Sequence, residues 1–276
     1  MGKFCDVVLQ RFSRHDGNIH LLCARYCASL LITLEIFDMT ETHKINLVLL
    51  PGLVNDARLF AFQMEDLSDM AQSTVGNLTV ADTIIELAAE VLLHAPPRFA
   101  LAGLSMGGYV ALEIMRQAPD RVQGLALLDT SARADVSEVR ANRMKQIELA
   151  ETNFQVVLDN LMPKLVHPSR MIYNSIVDTV YSMGHRVGKD AFIRQQRAIM
   201  GRIDSRPYLG KISCPTLVLC GRQDLITPVE VHQEMTTAIP GSHLEVIEEC
   251  AHLSAIGQPK LVSEAMRVWL RRIGKI

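Results

Sequence analysis

Residues 98–117 read Arg98-Phe-Ala-Leu-Ala-Gly103-Leu104-Ser105-Met106-Gly107-Gly-Tyr-Val-Ala-Leu-Glu-Ile-Met-Arg-Gln117. The opening apolar run predicts a buried strand, and the apolar spacing from Gly108 onward predicts a helix. Between them Ser105 stands in a Gly-x-Ser-x-Gly pentapeptide at a strand-to-helix corner. Glycines two before and two after the serine let strand and helix pack closely around a strained turn, which holds the hydroxyl out above a sheet. The pentapeptide also arises by chance, so its weight comes from the strand and helix on either side.

A serine hydroxyl is a weak nucleophile and needs a base, a group that orients the base, and donors for an oxyanion. Pro215-Thr-Leu-Val-Leu-Cys220 predicts a second buried strand, followed by Gly221-Arg-Gln-Asp224 and a helix opening near Pro228. A carboxylate just past the end of such a strand shares the serine's sheet edge. Asp224 has a competing use as a cap for that helix, and Asp129, after the strand Val122–Leu128, is an alternative acid. Ser242–Glu248 alternates like a strand and is followed by His252. The other histidines have ordinary places: His94 closes a helix, His232 sits on a helical face, His243 begins a strand, and His167 and His185 fall in a middle insertion. His43 precedes the core, with His15 and His20 nearer the amino terminus.

In this order, Ser105, Asp224 and His252 make the chain resemble the α/β-hydrolase superfamily over about residues 44–272, in particular the broad group containing 3-oxoadipate enol-lactonases. The resemblance implies an α/β fold with a mostly parallel central sheet flanked by helices, and a helical cap inserted before the acid-bearing strand. It implies Ser105 as nucleophile, His252 as base and Asp224 as the carboxylate that orients the imidazole. Oxyanion donors would be the backbone N–H of Met106 and that of Leu53, after the strand Ile45–Leu50. Each such donor contributes about 3–4 kcal/mol of transition-state stabilisation. Many relatives carry His-Gly before the second donor; here Pro51-Gly52 stands there, and Asn55, Asp56 and Arg58 behind it either line the mouth of the site or form a solvated turn and a helix cap. The segment Gln72–Thr79 lacks the Arg-Gly-x-Gly of epoxide hydrolases and dehalogenases, which sets the chain apart from them.

Core segments are expected at 42–130 and 212–276, with the cap at 131–211. Within that cap, helices are predicted over Val136–Leu149, Phe154–Leu161, Arg170–Met183 and Asp190–Met200, with Pro163, Pro168 and Pro207 as breakers. Met144, Met162, Met171, Met183 and Met200 serve as core filler there, or as a deformable pocket roof. Thirteen Lys/Arg against eight Asp/Glu in 131–211 leave an excess of five positive charges, read as a solvated basic surface or as an attraction for anionic substrates. Before this, Thr79 is the expected cap of a helix over Val80–Leu93.

At 276 residues with 49% hydrophobic content, the chain is long enough for one fully buried parallel sheet. A net charge of −2 without like-charge runs argues against nucleic-acid partners. The apolar stretch Ile19–Phe37 is interrupted by Arg25 and Glu35, which argues against a membrane span. Residues 1–41 are expected to be either an amino-terminal extension, with Met39 as the start, or an edge hairpin around Leu30–Phe37. Cys5, Cys23, Cys27, Cys214, Cys220 and Cys250 show no metal-ligand spacing and predict free thiols in a reducing cytoplasm. No cofactor or metal is implied. The expected function is hydrolysis of small carboxylic esters or lactones through an acyl-enzyme. Carbon–carbon bond hydrolysis, acyl transfer and lyase chemistry on the same three residues stand as alternatives, as does a ligand receptor on this scaffold.

Overall fold

The computed structural model describes residues 44–274; the readings of residues 1–41, including Leu30–Phe37 and Met39, lie outside them. Six strands are described: β1 (Ile45–Leu50), β2 (Ala71–Val75), β3 (Phe99–Leu104), β4 (Val122–Leu128), β5 (Thr216–Gly221) and β6 (His243–Ile247). They form one sheet in the order β2-β1-β3-β4-β5-β6, with every neighbouring pair parallel. Side chains alternate across a pleated strand, and the central strands are apolar on both faces because helices cover both. Leu47, Leu49, Ala100, Ala102, Leu104, Ala126 and Leu128 point into one apolar layer. Val48, Leu50, Phe99, Leu101, Leu125 and Leu127 point into the other.

Helices α1 (Ala61–Asp66), α2 (Ile84–His94) and α3 (Met106–Gln117) belong to the first half. Val110 and Ile114 of α3, with Leu87 and Val91 of α2, fill one layer. The expected start of α2 is corrected: Thr83, not Thr79, is its cap, accepting from the Glu86 N–H at 3.1 Å. Thr79 instead bonds Asn77. A Thr-x-x-Glu pattern at 83–86 marks that start in the sequence.

Between β4 and β5 run α4 (Ser137–Leu165) and α5 (Asn174–Gly201). The four predicted helices are these two, each broken at a non-helical residue: Asn153 in α4 and Gly188, at φ 79°, in α5. Pro163 is not a breaker but lies inside the end of α4, and the third predicted helix begins at Asn174 rather than Arg170. Met162 and Met183 are buried core, while Met144 and Met171 are exposed. After β5 come α6 (Val229–Ala238), α7 (Ser254–Gly257) and α8 (Pro259–Ile273). Met266, Trp269, Leu270 and Ile273 of α8 seal the second layer, and the Trp269 indole N–H donates to the Pro215 carbonyl at 3.0 Å.

Candidate active site

Parallel strands deliver their following loops to one edge of the sheet, and four loop residues there have left-handed backbones without being glycine: Val54, Ser105, Asp129 and Glu249. Ser105 stands between β3 and α3 at φ 55°, ψ −115°. Its neighbours explain why this turn requires glycine. A Cβ on Gly103 would lie 2.3 Å from the Gly107 carbonyl oxygen, and one on Gly107 would lie 2.0 Å from that of Leu50. The turn is tied back by the Ser105 N–H, which donates to Leu128 O at 3.0 Å, and by the Thr130 hydroxyl, which donates to Ser105 O at 2.8 Å.

Ser105, His252 and Asp224 meet. His252 Nε2 lies 2.8 Å from Ser105 Oγ, and His252 Nδ1 lies 2.8 Å from Asp224 Oδ2. All three side chains are buried. Asp224 Oδ1 accepts the N–H groups of Ile226 and Thr227, and Oδ2 accepts the Thr227 hydroxyl at 2.7 Å. The carboxylate therefore organises its own loop, but it is not the cap of α6: Pro228 holds that position without a side-chain bond. Burial would raise the Asp224 carboxyl, yet the charge and hydrogen bond of His252, with the Thr227 donors, hold it below the ordinary carboxylate range. For His252 burial favours the neutral ring, but Asp224 outweighs it and holds the imidazole above its ordinary 6.5.

Asp129 takes a different position from Asp224. Its Oδ1 accepts the Gly221 N–H at 3.0 Å, and its Oδ2 accepts the Ser254 N–H at 3.2 Å together with the Ser254 hydroxyl. It joins the end of β5 to the loop carrying His252 without bonding the imidazole. Full burial, reinforced by the Asp224 charge, pushes its carboxyl up to about 7. Beside it, His232 accepts the Thr130 N–H at 2.9 Å and bonds the Pro228 carbonyl through Nδ1. Burial lowers this ring to about 4, so it is a neutral strut.

The loop after β1 runs beside the serine: a Cβ on Gly52 would lie 3.4 Å from Ser105 Cβ. Among the described residues the N–H groups of Leu53 and Met106 have no hydrogen-bond acceptor, Met106 being the first residue of α3. The Val54 N–H is committed to Gln195 Oε1 of α5 at 3.1 Å. Asp56 caps the short 3-10 turn Ala57–Phe60 and pairs with Arg58. Of the two readings of Asn55 the structure favours the one at the site: it is 3% exposed and lines the cavity, and among the described residues its Nδ2 is buried without a partner.

These residues open onto a cavity of about 420 Å³ lined by Leu53, Asn55, Ser105 and His252 from the sheet edge. Asn142, Arg143, Gln146, Lys164 and Ile199 line it from α4 and α5, and Leu225 and Ile226 from the loop after β5. Helices α4 and α5 are anchored to both sides of the site: Gln195 of α5 holds the Val54 N–H, and the Leu165 carbonyl of α4 accepts the Leu253 N–H at 2.9 Å. Among the described residues no cluster of three or more His, Cys, Asp or Glu is arranged to hold a metal, and no helix is long and apolar enough to cross a membrane. Cys214, Cys220 and Cys250 are free thiols, and burial raises each of them.

The chain is similar to a thermophilic esterase from Thermogutta terrifontis, solved with malate bound, at 29% identity and a TM-score of 0.77, covering 83% of this chain and 90% of the other. An enol-lactonase from Burkholderia xenovorans shares the fold at 23% identity and a TM-score of 0.76, over 84% and 93% of the two chains. An Agrobacterium fabrum protein named for carbamate hydrolysis is 24% identical, over 86% of this chain and 97% of its own. A family model described as the alpha/beta hydrolase fold matches residues 67–259. With the elbow at Ser105 and six parallel strands behind it, the chain belongs to the alpha/beta hydrolase fold family and is a hydrolase.

Proposed function

We propose that the protein is a serine hydrolase of small carboxylic esters or lactones. The observation that carries this reading is the continuous hydrogen-bonded path from Ser105 Oγ through His252 to Asp224, buried at the floor of a cavity. Ser105 Oγ attacks the carbonyl carbon while its proton passes to His252 Nε2, and the carbonyl π pair moves onto oxygen. The Met106 and Leu53 N–H groups stabilise that oxyanion. Collapse expels the alkoxide, which takes the proton from His252 and leaves an acyl-Ser105 ester. Water then attacks this ester with His252 again as base, releasing the acid and restoring the serine. The insertion at 131–211 acts as the cap that roofs the substrate. The buried free thiols suit a reducing, cytoplasmic setting.

The test is a panel of p-nitrophenyl esters, lactones, thioesters, carbamates and vinylogous diketones, with fluorophosphonate labelling followed by peptide mapping. Labelling at Ser105 and release of acid from the esters or lactones are expected. Absence of both would refute the reading, whereas transfer of the acyl group to an added alcohol faster than hydrolysis would make the protein a transferase. Because His252 must be neutral to accept the serine proton, kcat/KM should rise with pH along a limb lying above 6.5. A limb below that value would mean that Asp224 does not control the ring.

A further inference from the structure

Within the reading of the site as an ester hydrolase, the cavity's charge selects a substrate class. Its lining contains two cations, Arg143 and Lys164, and no Asp or Glu. Arg143 is a fixed group rather than a loose surface arginine: its Nε donates to Asp135 Oδ2 at 2.7 Å, and its Nη1 donates to Gln196 Oε1 at 2.9 Å. Asp135 is shared with Arg202 at 2.8 Å, so one carboxylate faces two guanidinium groups and a positive charge is left over. Arg202 in turn lies over the Tyr109 ring at 4.2 Å, and Tyr109 also lines the cavity. Among the described residues Arg143 Nη2 has no partner, and neither does the Lys164 ammonium. Arg143 lines the same cavity as Ser105 and His252. A rigid guanidinium with a free donor is suited to a carboxylate, and a flexible ammonium beside it can follow the same group.

We propose that the site takes esters carrying a carboxylate a few bonds from the scissile carbonyl, with Arg143 as the fixed anchor and Lys164 as the second cation. The buried, unpartnered Asn55 Nδ2 adds a neutral donor to the same lining. The excess positive charge of residues 131–211 then has a focus as well as a surface.

The experiment compares kcat/KM for p-nitrophenyl hydrogen glutarate and p-nitrophenyl butyrate, which share the leaving group and differ in a terminal carboxylate. A parallel arm, 4-carboxyphenyl acetate against 4-carbamoylphenyl acetate, places the charge on the alcohol side. Wild type should prefer the charged member of one pair by about tenfold, the scale of one charge-assisted contact. The preference should shrink with added salt, fall in Lys164→Met and vanish in Arg143→Met, with thermal melts confirming folding. A ratio near one in both pairs, or a ratio indifferent to both substitutions, overturns the proposal. Calorimetry of glutarate binding to the Ser105→Ala protein, with and without Arg143→Met, separates the anion site from turnover. Binding lost with Arg143 supports the site even if no ester is cleaved; no binding to the folded Ser105→Ala protein sinks it.

Discussion

Ser105→Ala should reduce kcat on any ester substrate by about 10⁶, leaving the residual rate supplied by the oxyanion donors and binding alone. The expectation follows from the 2.8 Å contact between Ser105 Oγ and His252 Nε2, since alanine removes the only group that this base can activate for covalent attack. Alanine keeps the Ser105 N–H bond to Leu128 O and suffers the same backbone strain as serine. The melting temperature should therefore barely move while fluorophosphonate labelling disappears. Steady-state kinetics with a circular-dichroism melt checks both halves. Turnover within tenfold of wild type would mean that the serine is not the nucleophile.

Asp224→Asn should lower kcat by about 10⁴, and the surrounding bonds explain why asparagine is harmful. Asp224 Oδ1 already accepts two backbone N–H groups, so the amide nitrogen cannot occupy that position. It must take the place of Oδ2, facing His252 Nδ1 at 2.8 Å. There it donates to Nδ1, drives the ring proton onto Nε2 and removes the lone pair that should receive the serine proton. Asp129→Asn is different in kind. Asp129 accepts donors from Gly221 and Ser254 and makes no bond to the imidazole. Its loss should appear mainly as a lower melting temperature, with a fall in kcat of about tenfold or less. Greater damage to kcat from Asp129→Asn than from Asp224→Asn would reverse the assignment of the acid.

The features legible in the sequence were those written locally. Continuous apolar runs marked β1, β3, β4 and β5, because a strand buried on both faces needs no polar positions. The pentapeptide around Ser105 marked the turn, because only glycine fits at 103 and 107. The choice between Asp224 and Asp129 was open from local pattern alone. Both follow strands of one sheet, and only the path of the 249–254 loop decides which one the ring meets. Asn55 reads from its local sequence as either solvated or site-lining, and Arg143 carries no local signal for its place. Arg143 is matched with Asp135, which lies ahead of the helix, and with Gln196 on another helix. The breaks at Asn153 and Gly188 fall in the gaps between the predicted helices, at 150–153 and 184–189, whereas Pro163, expected to break the insertion, lies inside the end of α4.

The left-handed residues along the sheet edge carry a consequence for engineering this protein. Val54, Ser105, Asp129 and Glu249 each hold a conformation that an L side chain resists, at a cost on the order of 1 kcal/mol or more apiece. Relief of that strain by glycine is open at Glu249, whose exposed side chain takes no part in the proposed reaction, but not at Val54, whose buried side chain packs against α4 and α5 and would leave a void; at either place glycine would slacken the loops that hold Ser105, His252 and Asp224 in register. A variant made heat-resistant in that way should trade speed for durability, and a search for robustness without that exchange belongs at the opposite edge of the sheet.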